Sequence, residues 1–89
     1  MKLSKAYIFL KTKVGKEEDV IKRIKALNLK YHGLYRLFGT YDLAIELLYK
    51  DWQELDDFMF PLQIDDTLKG CIEEELRLIS HDKTAVIEN

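Results

Sequence analysis

Apolar positions along the chain change period several times, and each change marks an element. Ala6-Tyr7-Ile8-Phe9-Leu10-Lys11-Thr12 is apolar at both alternating sets, which predicts a strand buried on both faces. After Gly15 the acids Glu17, Glu18 and Asp19 precede Val20, Ile21, Ile24 and Leu27 at helical spacing. That is an amphipathic helix with its carboxylates at the positive end of the dipole. On its wet side the i,i+4 spacing pairs Glu18 with Lys22 and Asp19 with Arg23. Asn28 ends the pattern. Leu29 to Phe38 then reads as a second strand, with a bulge expected at Gly33. Gly39-Thr40-Tyr41 supplies a turn into a third strand from Asp42 to Tyr49, so strands two and three form a hairpin.

Asp51 with Glu54 has the logic of a capping box. Trp52, Leu55, Phe58, Met59 and Leu62 give that second helix its apolar stripe, and Pro61 is expected to kink or end it. A polar stretch containing Gly70 leads to a last strand, Cys71 to Ser80, and a polar tail. The order βαββαβ predicts an α+β, ferredoxin-like domain: a four-stranded antiparallel sheet with two helices on one face. Residues 1–89 form a single domain with a core at about 5–80. Because the first strand is apolar on both sides, the uncovered face needs a second apolar surface, and Tyr7, Ile8, Phe9 and Leu10 are the expected dimer interface.

Composition narrows the function. A chain of 89 residues buries only roughly 60–65% of its extended surface, so burial against a partner helps it. Fourteen basic against sixteen acidic residues give a net charge of -2, without the basic surplus of a nucleic-acid-binding module. The apolar runs are too interrupted by charge to span a membrane. A single Cys71 and the absence of a signal-peptide core near Met1 point to the cytoplasm.

Catalytic and metal chemistry find little support. Ser80-His81-Asp82 has triad residue types, but neighbours in an extended chain point in alternating directions and cannot relay a proton among themselves. His32 has no partner at metal spacing, and Cys71 has no neighbour that would activate it. No metal, no cofactor and no catalytic residue are expected. Glu73-Glu74-Glu75 reads either as a cation or amine receptor or as charge protecting an edge strand. Gly39-Thr40-Tyr41-Asp42 is the informative segment: a glycine turn exposes backbone N–H groups to a carboxylate, and an adjacent Asp receives an ammonium.

Ala6-Tyr7-Ile8-Phe9-Leu10, Val14-Gly15-Lys16-Glu17-Glu18-Asp19-Val20, Phe38-Gly39-Thr40-Tyr41-Asp42-Leu43-Ala44 and Asp51-Trp52-Gln53-Glu54-Leu55 resemble the ligand-sensing C-terminal (RAM) domain of Lrp/AsnC transcriptional regulators. The resemblance covers about residues 5–80. It implies dimers with facing sheets, further assembly into octamers, and small effectors, typically amino acids, held at the central hairpin, so that Gly39, Thr40, Tyr41 and Asp42 take the ligand-binding role. With no room for a helix-turn-helix, the chain reads as a stand-alone module that acts through a full-length regulator and does not bind DNA itself. The alternatives are a small dimeric α+β-barrel enzyme of monooxygenase type, which needs a walled pocket inside the subunit, and a purely structural assembly partner.

Overall fold

Strict alternation along strand β1 (Ser4–Thr12) separates the two sides of the molecule. Ala6, Ile8, Leu10 and Thr12 are buried on one side, while Tyr7 and Phe9 stay partly open on the other. The computed structural model describes residues 3–80. The chain continues through helix α1 (Glu17–Ala26), strands β2 (Gly33–Arg36) and β3 (Leu43–Tyr49), helices α2 (Trp52–Ile64) and α3 (Asp66–Cys71), and strand β4 (Ile72–Ile79). The sheet order is β2-β3-β1-β4 with every pairing antiparallel, so the fold is the expected ferredoxin-like α+β arrangement. Register places Ile8 opposite Ile45, Leu10 opposite Leu43 and Ala6 opposite Leu47. These residues form the floor of the core, and Val20, Ile24, Leu55, Phe58, Leu62 and Leu68 close it from the helical layer. Each fully buried Ile or Leu is worth about 2 kcal/mol.

Local chemistry explains the element ends. Asn28, with φ 53°, follows the C-cap of α1, and its N–H donates to the carbonyl of Lys25 at 3.1 Å. The Asp51 carboxylate accepts from the Glu54 N–H at 3.0 Å, and Glu54 reaches back to the Lys50 N–H at 2.9 Å, a capping box displaced by one residue at its return arm.

Several expectations need correction. Pro61 does not end α2, which runs on to Ile64, and the Pro61 carbonyl accepts from the Asp65 N–H at 3.2 Å. The stretch around Gly70 is helical because the Asp65 carboxylate caps α3, accepting from the Leu68 N–H at 3.0 Å, and Leu68 anchors that turn in the core. Cys71 therefore ends a helix instead of starting a strand. Strand β2 keeps only four residues, and its register with β3 is regular, so Gly33 is not a bulge. A Cβ at Gly33 would meet the Tyr35 ring, which lies across it. The irregularity falls between Lys11 and Thr12 in their pairing with β4.

The ion pairs expected along α1 turn elsewhere. Arg23 makes a bidentate pair with Asp65, from Nη2 at 2.7 Å and Nε at 3.0 and 3.2 Å, and Glu17 and Glu18 reach Arg36 of β2. Asp65 thus ties α1, α2 and α3 together with a side chain only 7% exposed. The Arg23 guanidinium holds its carboxyl below the usual range, helped by the Leu68 N–H and opposed by burial.

Asp65→Asn is expected to cost about 1–3 kcal/mol at neutral pH, because it strips both the pair and part of the cap. A depressed folded-state pKa stabilises above the ordinary carboxylate value near 4, and that stability fades as pH falls through the folded value. Urea titrations of both proteins should therefore converge on acidification; a gap that persists at low pH contradicts the assignment.

Candidate ligand and assembly site

The connection from β2 to β3 spans residues 37–42 and is closed at its base by the Leu37 N–H donating to the Asp42 carbonyl at 2.8 Å. Gly39 sits near the tip with φ 116°, a conformation that favours glycine. Phe38 is fully exposed beside it. The amides of Gly39, Thr40 and Tyr41 have no backbone partner among the described residues, so the tip offers donors to a carboxylate. Asp42 is differently placed. Its Oδ2 accepts from the Thr12 N–H at 2.8 Å and the Thr12 hydroxyl at 3.0 Å, and its own N–H donates to the Leu10 carbonyl at 2.9 Å. Asp42 therefore fastens the hairpin to the end of β1. One carboxylate oxygen stays outside these bonds. The Tyr41 ring leans on Phe9, with centroids 6.0 Å apart, and links the hairpin to the open sheet face.

On that face the proposed interface quartet divides. Ile8 and Leu10 are wholly buried under the helices, so no partner reaches them; period-2 geometry leaves Tyr7 and Phe9 as the outward pair, their rings stacked at 6.3 Å. Leu76 and Leu78 of β4 lie opposite them and are substantially exposed, as is Tyr35 of β2. Sequence reasoning missed the polar centre of this surface. Glu46 accepts from the hydroxyls of Tyr7 at 3.0 Å and Tyr35 at 3.3 Å, and Lys5 Nζ stands 3.8 Å away. The bond from Tyr7 chiefly, then Tyr35, His32 and Lys5, lowers the Glu46 pKa against the effect of burial; both tyrosines are shifted upward in return. The available signal was one acid interrupting Leu43-Ala44-Ile45-Glu46-Leu47 on the side where Tyr7 lies opposite.

Catalytic candidates do not converge. His32 donates its backbone N–H to the Glu46 carbonyl, Cys71 is buried at the end of α3, and His81 and Asp82 lie outside the described residues. No group of three or more metal-ligating side chains occurs among the described residues. The space between sheet and helices is filled by Ile8, Leu10, Ile24, Leu43, Ile45 and Leu68, where a monooxygenase-type barrel needs a pocket. Glu73–Glu75 lie on β4, which among the described residues pairs with β1 alone, a place where charge opposes further strand pairing. No helix among the described residues is long and apolar enough to cross a membrane.

No family model and no curated protein matches the chain. Solved structures do. FFRP-DM1 superposes with a TM-score of 0.65 at 22% identity, over 86% of this chain and 97% of that one. The hypothetical protein PHS023 from Pyrococcus horikoshii gives 0.65 at 21%, over 90% and 92%. An AsnC family transcriptional regulator from Agrobacterium tumefaciens gives 0.64 at 13%, over 99% of this chain and 56% of that one. These chains share one fold. The resemblance drawn from the sequence is thus matched at the level of architecture, and the chain spans about half the length of the Agrobacterium regulator.

Asp42→Ala is expected to lower stability by about 1–3 kcal/mol, because the Thr12 N–H and hydroxyl lose their shared acceptor. Thermal melts of Asp42→Ala, Thr12→Ala and the double variant should show strong non-additivity; simple addition of the two losses contradicts the Asp42–Thr12 link.

Proposed function

We propose that this chain is an effector-binding and oligomerising module of the Lrp/AsnC type. It senses a small molecule, an amino acid in the first instance, and modulates transcription through partner regulators instead of touching DNA itself. The observation that carries this reading is the open sheet face: Tyr7, Phe9, Leu76 and Leu78 form an apolar band on a fold shared with an AsnC family regulator. Two such faces packed together would remove that band from water and enclose the Tyr7–Glu46–Tyr35 cluster. Effector binding at Gly39–Asp42 is supported by the unpaired amides of the tip and by the Tyr41–Phe9 contact, which would couple the hairpin to the dimer face. The cytoplasm is the compartment that suits such a module.

A structural assembly role without ligand is the second reading, favoured by the Asp42 carboxylate already serving Thr12. Calorimetry across the free amino acids separates the two. Saturable binding of an amino acid supports the sensor; silence for every amino acid at millimolar concentration leaves the structural role.

Light scattering tests the dimer. Wild type should be dimeric or larger at micromolar concentration, and Phe9→Glu should dissociate it while keeping its circular dichroism, since Phe9 stands on the open face. Ile8→Glu should instead unfold the chain, because an unpaired charge in the core costs several kcal/mol. A wild-type monomer ends the proposal.

A further inference from the structure

Two long helices do not cover four strands, and the strip they leave bare lies between α2 and β4. There Ile79 and Arg77 of β4 meet the outer side of α2 in a groove of about 730 Å³, which also takes in Trp52, Asp56 and Phe60. Trp52 is 61% and Phe60 60% exposed, although the helical pattern assigned Trp52 to the buried stripe. Trp52 sits at N1 of α2, held against Tyr49 with ring centroids 6.1 Å apart, so the groove wall is already built.

Charge says what fits. Asp51 to Asp66 contains six acids and no Lys or Arg: Asp51, Glu54, Asp56, Asp57, Asp65 and Asp66. Neither Asp56 nor Asp57 has a basic partner among the described residues, whereas Arg77, the groove's one cation, is taken up by Glu75 at 2.5 Å. An acidic, aromatic groove repels anionic lipid and nucleic acid. It suits a polypeptide that brings cations around apolar anchors. Exposed Trp and Phe are the aromatic anchors that interface centres favour, and the uncompensated carboxylates beside them suit a cationic polar rim.

We infer that the α2–β4 groove docks a basic amphipathic segment of another protein, with apolar side chains over Trp52 and Phe60 and Lys or Arg facing Asp56 and Asp57. The site lies on the helical side of the molecule, opposite the open sheet face, and does not depend on dimerisation there.

Trp52 is the one tryptophan of the chain and reports directly on the groove. The full chain is titrated with a synthetic helical Lys/Leu peptide and with its Glu/Leu counterpart, following tryptophan emission. The basic peptide is expected to bind with a blue shift and to weaken with added salt, while the acidic peptide leaves the spectrum unchanged. Phe60→Ser, at an exposed position, should keep the fold and weaken binding roughly tenfold or more, as loss of an aromatic anchor does. Asp56→Asn with Asp57→Asn should flatten the salt dependence. Equal binding of both peptides, no tryptophan shift, or unchanged affinity in Phe60→Ser overturns the assignment. So does a fall in the native oligomer's mass on Phe60→Ser, which would make the groove a contact between copies of this chain.

Discussion

The whole arrangement depends on strand β1 being a central strand. With β3 on one side and β4 on the other, its backbone groups are committed to the ladders, and its side chains have only two directions to go. Ala6, Ile8 and Leu10 go to the helices and close the core; Tyr7 and Phe9 go outward and make the other sheet face apolar. A single seven-residue pattern therefore sets both the closure of the core and the apolar character of the opposite sheet face. Glu46 belongs to the same constraint. It is paired with Tyr7 in the ladder, and the two tyrosine hydroxyls keep its charge satisfied on a surface otherwise suited to burial.

Carboxylates organise the connections. Asp51 caps α2, Asp65 caps α3 while receiving Arg23, and Asp42 fastens the hairpin to Thr12. In each case an acid accepts N–H groups that the backbone leaves unpaired at an element end. The last of these bears on function, because an Asp bonded to β1 positions the loop and shares its charge with Thr12 before any ligand arrives. In the proposed effector site, the tip amides near Gly39 would therefore carry more of the ligand contacts than a free carboxylate.

Much was legible in the chain because it is written in short periods. The apolar run at residues 6–12, the helical spacing of Val20, Ile21 and Ile24, the turn at Gly39 and the Asp51–Glu54 cap each involve residues close in sequence, where backbone geometry alone fixes the neighbours. The strands, the two long helices and their order follow from these, and with them the ferredoxin-like topology; α3 does not. What went astray involved distant partners. Gly33 looked like a bulge because its regular register against Glu46 of β3 is not visible in the local sequence; Arg23 has Asp19 at i-4, yet it chooses Asp65 forty-two residues away.

Sequence by itself determined the apolar character of both faces of the first strand, the exposed glycine turn, and the order of the four strands and the two long helices, though not α3. Tertiary structure alone decided which face each residue serves, that Ile8 and Leu10 are closed to any partner, that Asp42 is already bonded, and that Trp52 stands outside the core. The physical reason is that helical period marks a stripe without saying how wide a strip the neighbouring layer can cover. Leu55, Phe58, Met59 and Leu62 are enough to seat α2, and Trp52 and Phe60 are left on its exposed side, beside the groove to β4. Burial is settled by which surfaces are available to meet, and that is a property of the assembled layers.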